Sequence, residues 1–270
     1  MLKQRLITAL ILIPLVIFGI FFLPPIPFAM VSGIVFLLAL WEWTLLAGFK
    51  TRVSRIGCAL LIPFVALTLL AILKWLGREA LQEGMPLFIL GFWLLALWLL
   101  TRFPKDKPLW DSKIFGVIAG CWVLVPAFGM LCALHYLHPK WVLYVLSLIW
   151  IADTAAYFIG KRFGQHKLAP DISPGKSWEG AIGALFAGLL WALAAYKILA
   201  PNLALLSWCV LAIVTVIFSI VGDLFESAFK RVRNVKDSGN LLPGHGGILD
   251  RIDSLTAAVP IFTISFMIFH

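Results

Sequence analysis

In the last third of the chain two carboxylates, Asp223 and Asp250, flank a stretch whose residue types suit the handling of phosphate. It runs Gly222-Asp223-Leu224-Phe225-Glu226-Ser227, then Lys230-Arg231, Lys236-Asp237, Pro243-Gly244-His245-Gly246-Gly247 and Asp250-Arg251-Ile252-Asp253. Asp223 follows one long apolar run and Asp250 precedes the next, so a compact hairpin would bring both carboxylates to one membrane boundary. Two hard oxygen donors in an open, partly hydrated site suit Mg2+, which keeps some of its waters and completes its shell with substrate phosphates. Lys230, Arg231, Lys236 and Arg251 would clamp those phosphates, while His245-Gly246-Gly247 would let backbone approach closely. A loop whose acids merely pair with its bases has no need of Pro-Gly-His-Gly-Gly.

A second constellation lies upstream. Lys161-Arg162-Phe163-Gly164-Gln165-His166-Lys167 leads to Ser173-Pro174-Gly175-Lys176-Ser177 and then to Glu179 at the head of an apolar run. Backbone amides of a Gly-containing turn entering a helix N-terminus, with a lysine beside them, form a phosphate cradle. The Walker A spacing is not met. Lys161, Lys167, Ser173, Lys176, Ser177 and Glu179 are the substrate-binding candidates here, joined by Gly246 and Gly247 from the later loop.

Asp153 stands inside an apolar run, eight residues before Lys161, which puts it about 12 Å below the helix end. A carboxylate at such a depth costs about 2.5–3.5 kcal/mol on insertion scales. It is read as a metal ligand or the charge partner of a substrate-binding lysine, the plain alternative being a packing residue satisfied by hydroxyls. Tyr157 shares its face one turn on and joins the substrate-binding candidates. Glu42, between Trp41 and Trp43, is read as a snorkelling or paired residue in an aromatic belt.

These residues are set in a chain that water cannot accommodate. Of its 270 residues 62% are hydrophobic and 13% charged, against about 25% charged in soluble domains. Disorder and a soluble nucleic-acid binder are excluded by the same figures, despite the net charge of +9. Charge-poor stretches occur at 6–23, 26–41, 56–73, 85–101, 114–134, 141–160, 180–196, 203–222 and 254–269. Their lengths suit a hydrocarbon core about 30 Å thick, and they lack the strict alternation of a membrane barrel. The expected fold is therefore all-α and polytopic, with about nine spans.

With the N-terminus in the cytoplasm, eighteen of the 22 Lys and Arg residues fall in one set of loops. Only Lys74, Arg78, Lys140 and Lys197 fall in the other. That asymmetry fixes the orientation, and missing one helix would destroy it. Residues 1–140 then hold about five spans, and residues 141–270 form a catalytic membrane region with cytoplasmic loops at 161–179 and 223–253. The run at 6–23 follows Lys3 and Arg5 like a signal peptide but lacks an A-x-A cleavage site, so it is read as an uncleaved first span. Cys58, Cys121, Cys132 and Cys209 sit in apolar runs without C-x-x-C spacing and suggest neither disulfides nor zinc.

Ser227-x-x-Lys230-Arg231, Lys236-Asp237 and Pro243-x-His245-Gly246-Gly247-x-x-Asp250-Arg251-x-Asp253 resemble the signature of the phosphatidate cytidylyltransferases, the CDP-diacylglycerol synthases. Asp153-Thr154-Ala155-Ala156-Tyr157 and Ser173-Pro174-x-Lys176-Ser177-x-Glu179-Gly180 are similar to that family's other shared block. The resemblance implies transfer of a cytidylyl group from CTP to phosphatidic acid, releasing pyrophosphate, in phospholipid biosynthesis at the inner (plasma) membrane. It implies Asp223 and Asp250 as ligands of Mg2+, leaves open K+ as a further cation and a homodimer as the assembly, and involves no nucleic acid.

The chemistry suits the residues independently. A phosphate monoester has a second pKa of about 6, so the nucleophile is already largely a dianion at neutral pH and needs no dedicated base. What it needs is charge neutralisation and in-line positioning. A CDP-alcohol phosphotransferase would show D-G-x-x-A-R…G-x-x-x-D-x-x-x-D, which is absent. A cation- or proton-coupled transporter built on Asp153 is the alternative from another class, and it would not require the His-Gly-Gly hairpin.

Overall fold

The computed structural model describes residues 2–76, 84–199, 202–241 and 246–269. His245, with Pro243 and Gly244, and Arg78 lie outside the described residues. Among the described residues ten helices run in order: α1 (Leu2–Phe22), α2 (Pro25–Leu46), α3 (Arg52–Leu76), α4 (Met85–Arg102), α5 (Lys107–Asp111), α6 (Lys113–Leu137), α7 (Pro139–Phe163), α8 (Trp178–Leu199), α9 (Leu205–Val232) and α10 (Leu249–Phe269). Between α7 and α8 lie two short strands, β1 (Lys167–Ala169) and β2 (Ser173–Ser177). The protein is thus a predominantly helical, polytopic membrane protein. Among the described residues, α2, α4, α6, α7, α8, α9 and α10 are the seven helices long and apolar enough to cross a bilayer.

Two compact units can be distinguished, both discontinuous in sequence. One comprises Met1–Met85, Lys107–Leu143 and Phe229–Ile252, the other Pro86–Asp106, Tyr144–Ala228 and Asp253–His270. Within the first, Pro25 opens α2, where a missing N–H costs nothing. Gly116 and Gly120, spaced as small-xxx-small on α6, let α2 approach closely. A Cβ at Gly116 would lie 2.8 Å from Ala47 Cα, and Trp43 Nε1 donates to Gly116 O at 2.9 Å. Without a hydrophobic force between helices in lipid, such close backbone approach is what holds them. Trp43 and Trp110 then pack on Phe229, with ring centroids 5.0 and 5.2 Å away.

In the second unit the same device recurs. Gly188 on α8 faces Val216 and Leu148, and Gly222 on α9 faces Asp253 O and the Ala257 methyl. Two indoles donate across helices: buried Trp208 to Ala192 O at 2.8 Å and half-buried Trp191 to Ser147 Oγ at 3.0 Å.

The polar connections are more structured than an open loop. α9 continues past Asp223 to Val232, and α10 begins at Leu249, ahead of Asp250. α9 ends in a Schellman arrangement: Val235 N donates to Lys230 O, Asn234 N to Arg231 O, and Asn234 takes a positive φ of 55°. Residues 167–177 form an antiparallel hairpin, pairing Lys167 with Ser177 and Ala169 with Ser173.

Candidate active site

In the second unit, Lys176 on β2 reaches Asp223 on α9, with Nζ 2.6 Å from Oδ2. Ser227, one turn along α9, donates its hydroxyl to Asp223 Oδ1 at 3.2 Å. Asp153 on α7 hydrogen-bonds to Ser254 on α10 and lies in the field of both Asp223 and Lys176. Two of the predicted carboxylates and one predicted lysine thus share one neighbourhood, with a serine contributed by each of α9 and α10. Both partners of the Lys176–Asp223 pair remain about a quarter exposed, so this is an accessible cluster.

The hairpin that presents Lys176 is pinned at its base. Ser177 is buried, and its Oγ accepts from Gly180 N at 3.2 Å, capping α8. Gly160, Gly164 and Gly180 crowd this hydroxyl, and side chains there would displace it. Glu179 in the first turn of α8 accepts from His166 Nδ1 at 2.7 Å and from His166 N at 3.2 Å. Glu179 therefore clasps the hairpin's entry through His166, a residue that the sequence spacing did not single out. Pro174 and Gly175 are exposed at the strand's outer edge, and Ser173 is half-buried. The segment expected to be a Gly-containing turn is a strand that runs directly into α8. Tyr157 is exposed, and the Lys161 ammonium lies 5.7 Å from its ring centroid. Lys167 is exposed on β1.

In the first unit, Asp250 is the hub of the second constellation. Its Oδ1 accepts from Lys230 Nζ at 2.8 Å, and its Oδ2 accepts from Ser238 N at 2.9 Å and Gly247 N at 2.8 Å. Gly246 beside it has a φ of +79°, and a Cβ there would lie 2.9 Å from Asp250 Oδ2. Glycine is required on both counts. Arg231, Lys236 and Arg251 are exposed.

Two further residues of this unit carry interactions that the sequence reading missed. Arg233 donates through Nε to Leu46 O at 2.8 Å and pairs through Nη1 with Asp111, fastening the end of α9 to α2 and α5. Glu42, expected at an aromatic belt, is 3% exposed and does not snorkel. It accepts from Ser238 Oγ at 3.0 Å and from Leu249 N at 2.8 Å. Their partners lie so far along the chain that no local spacing signals them.

Among the described residues no group of three or more His, Cys, Asp or Glu side chains converges on one point. That donor chemistry does not fit a closed zinc-type cage. A hard cation such as Mg2+ asks for less, one or two carboxylates with water and substrate oxygens completing its shell. Asp223 and Asp250 are suitable oxygen donors, each presently neutralised by a lysine of its own unit.

Comparison with known proteins bears on the whole chain. The model of the cytidylyltransferase family matches residues 3–269. The phosphatidate cytidylyltransferase of Pseudomonas aeruginosa is 43% identical over 265 residues, covering 97% of this chain and 96% of the relative. That of Haemophilus influenzae is 39% identical over 289 residues, covering 97% and 98%. The Staphylococcus aureus enzyme of the same name is 46% identical over 133 residues, 48% of each chain. With a match that runs from the first helix to the last, the chain belongs to the cytidylyltransferase family.

Proposed function

We propose that the protein is a phosphatidate cytidylyltransferase, which joins the phosphate of phosphatidic acid to the cytidylyl group of CTP to give CDP-diacylglycerol and pyrophosphate. The observation that carries this reading is the end-to-end similarity to relatives of that name at 39% and 43% identity. A lipid phosphate oxygen forms a bond to the α-phosphorus as the bond from that phosphorus to the β-bridging oxygen breaks. The exposed cations Arg231, Lys236 and Arg251 bind the triphosphate and compensate the charge that gathers on the leaving pyrophosphate. Lys176 and Lys230, each already beside a carboxylate, are placed to exchange a carboxylate for a phosphate oxygen when substrate enters. Asp223 and Asp250 would hold Mg2+, and a bound Mg2+ supplies further charge neutralisation on the phosphates. Tyr157, Lys161 and Lys167 are assigned to substrate contact at the membrane boundary.

The same reading sets the chain in the inner (plasma) membrane with nine spans, α1 and α3 joining the seven, the N-terminus in the cytoplasm and the active site at the cytoplasmic face. Its support is the eighteen-to-four distribution of basic residues. One substrate then arrives laterally from the bilayer and the other from the cytosol. Incubation of the purified protein with labelled CTP, phosphatidic acid and Mg2+ tests the assignment. CDP-diacylglycerol is the expected product, and its absence with both substrates present refutes the reading.

A further inference from the structure

We infer that Glu42, a residue of α2 remote in sequence from both constellations, is a positioning residue that holds the described parts of the connection between α9 and α10, residues 238–241 and 246–248, against the start of α10. The inference rests on the cytidylyltransferase reading only for its activity readout. One carboxylate oxygen, Oε2, receives the Ser238 hydroxyl and the Leu249 amide, so it ties Ser238, within this connection, to the first residue of α10. Leu249 N is one of the amides a helix start leaves without an intrahelical partner, and a carboxylate there also complements the helix dipole. Asp250 grips the same connection from its other side, through Ser238 N and Gly247 N. Ser238 is therefore held twice, by its hydroxyl on Glu42 and by its amide on Asp250.

The glycines show how tightly the backbone is drawn onto this acid. A Cβ at Gly239 would overlap Glu42 Oε1, and one at Gly247 would overlap Oε2 and the Ser238 hydroxyl. Glu42 Oε1 itself accepts no hydrogen bond among the described residues, so the contacts that matter converge on a single oxygen. The connection carries Lys236, Gly246 and Gly247, and it orients Asp250. Displacement of such groups by about 1 Å costs on the order of 100-fold in rate.

The test uses the full-length purified protein with four variants: Glu42→Ala, Glu42→Gln, Gly239→Ala and the double Glu42→Ala/Gly239→Ala. Two readouts are taken, steady-state kinetics with CTP and amide hydrogen exchange. Glu42→Ala should lower kcat by about 100-fold, with a smaller change in KM, and should speed exchange at residues 238–241 and 246–249 while leaving α6 and α7 unchanged. Glu42→Gln should recover most of both, because its amide oxygen can accept the two bonds that Oε2 accepts. Gly239→Ala, which keeps the carboxylate but pushes it aside, should reproduce the Glu42→Ala defect and add nothing to it in the double variant. Unchanged exchange in Glu42→Ala, a Gln variant as impaired as Ala, or an additive Gly239→Ala effect would each overturn the inference. Should Glu42→Ala fail to fold, Glu42→Gln and Gly239→Ala carry the comparison alone. Absence of any CTP turnover by the unaltered protein would count against the proposed reaction, whereas the exchange results would still decide the role of Glu42.

Discussion

Lys230 Nζ lies 2.8 Å from Asp250 Oδ1, and the two side chains keep only 10% and 9% of their surface accessible. An ion pair this sheltered is costly to break from one side, since the Asp250 charge would keep only the two backbone amides of Ser238 and Gly247; such losses run up to about 3–5 kcal/mol. Removing both charges together costs far less. Lys230→Met should therefore lower the thermal midpoint markedly and abolish turnover. Lys230→Met/Asp250→Asn should regain much of the stability and none of the activity. Thermal unfolding in detergent, read beside CDP-diacylglycerol formation, checks both parts. A double variant no more stable than the single one would show that the pair does not hold Asp250 in place.

The Lys176–Asp223 pair behaves differently because it is about a quarter exposed. Accessible pairs contribute about 0–1 kcal/mol, so Lys176→Ala and Asp223→Asn should leave the melting curve almost unmoved. Their effect should appear in catalysis. Asp223→Asn should remove most turnover, because an amide keeps the shape but loses the charge that favours a divalent cation, and Lys176→Ala should weaken CTP binding. Chelation should stop the reaction in the unaltered protein, with Mg2+ restoring it. Near-normal turnover of Asp223→Asn would remove this residue from the proposed metal site.

How much of this was readable in advance differs between elements. The helices at 85–102 and 113–137 follow charge-free runs because hydrocarbon admits little else, and expected and observed ends there agree to within a few residues. The end of α9 was misjudged. A hydropathy boundary falls at Asp223, where charge first appears, but the helix is sustained by its own backbone bonds and runs on until Asn234 takes a left-handed turn. The hairpin at 167–177 was hidden by Pro174 and Gly175, which argue for a turn and are tolerated here on an exposed strand. Glu42 is half legible. Snorkelling and pairing are both open from its neighbours Trp41 and Trp43; the structure shows it buried and paired, with partners Ser238 and Leu249 that lie 196 and 207 residues away and that no local pattern names. Phosphate-handling residue types are legible one at a time, whereas the carboxylates that brace them depend on which helices meet.

Orientation yields a further expectation. Lys140 is one of only four basic residues in the sparse set of loops, and Lys176 and Lys236 belong to the rich set. Reporter fusions after Lys176 and Lys236 should both read cytoplasmic, and a fusion after Lys140 should read external. A reversed pair would move the proposed site to the wrong side of the membrane for cytosolic CTP, and the placement of both loops would fall with it.

The reaction course is the last point open to test. A covalent route needs an activated nucleophile beside a base. Ser227 instead donates to Asp223, an acid better suited to a cation than to deprotonating a hydroxyl, and Ser177 is committed to capping α8. Ser173 is a half-buried strand residue, and no cysteine belongs to either polar connection. The lipid phosphate, largely a dianion at neutral pH given a second pKa of about 6, is itself the competent nucleophile. Direct attack is therefore expected, with no cytidylyl-protein intermediate. Pyrophosphate should appear only when CTP, phosphatidic acid and Mg2+ are all present, in step with CDP-diacylglycerol. A burst of pyrophosphate equal to the protein concentration, from CTP alone, would instead reveal a covalent intermediate and direct the search to one of these serines.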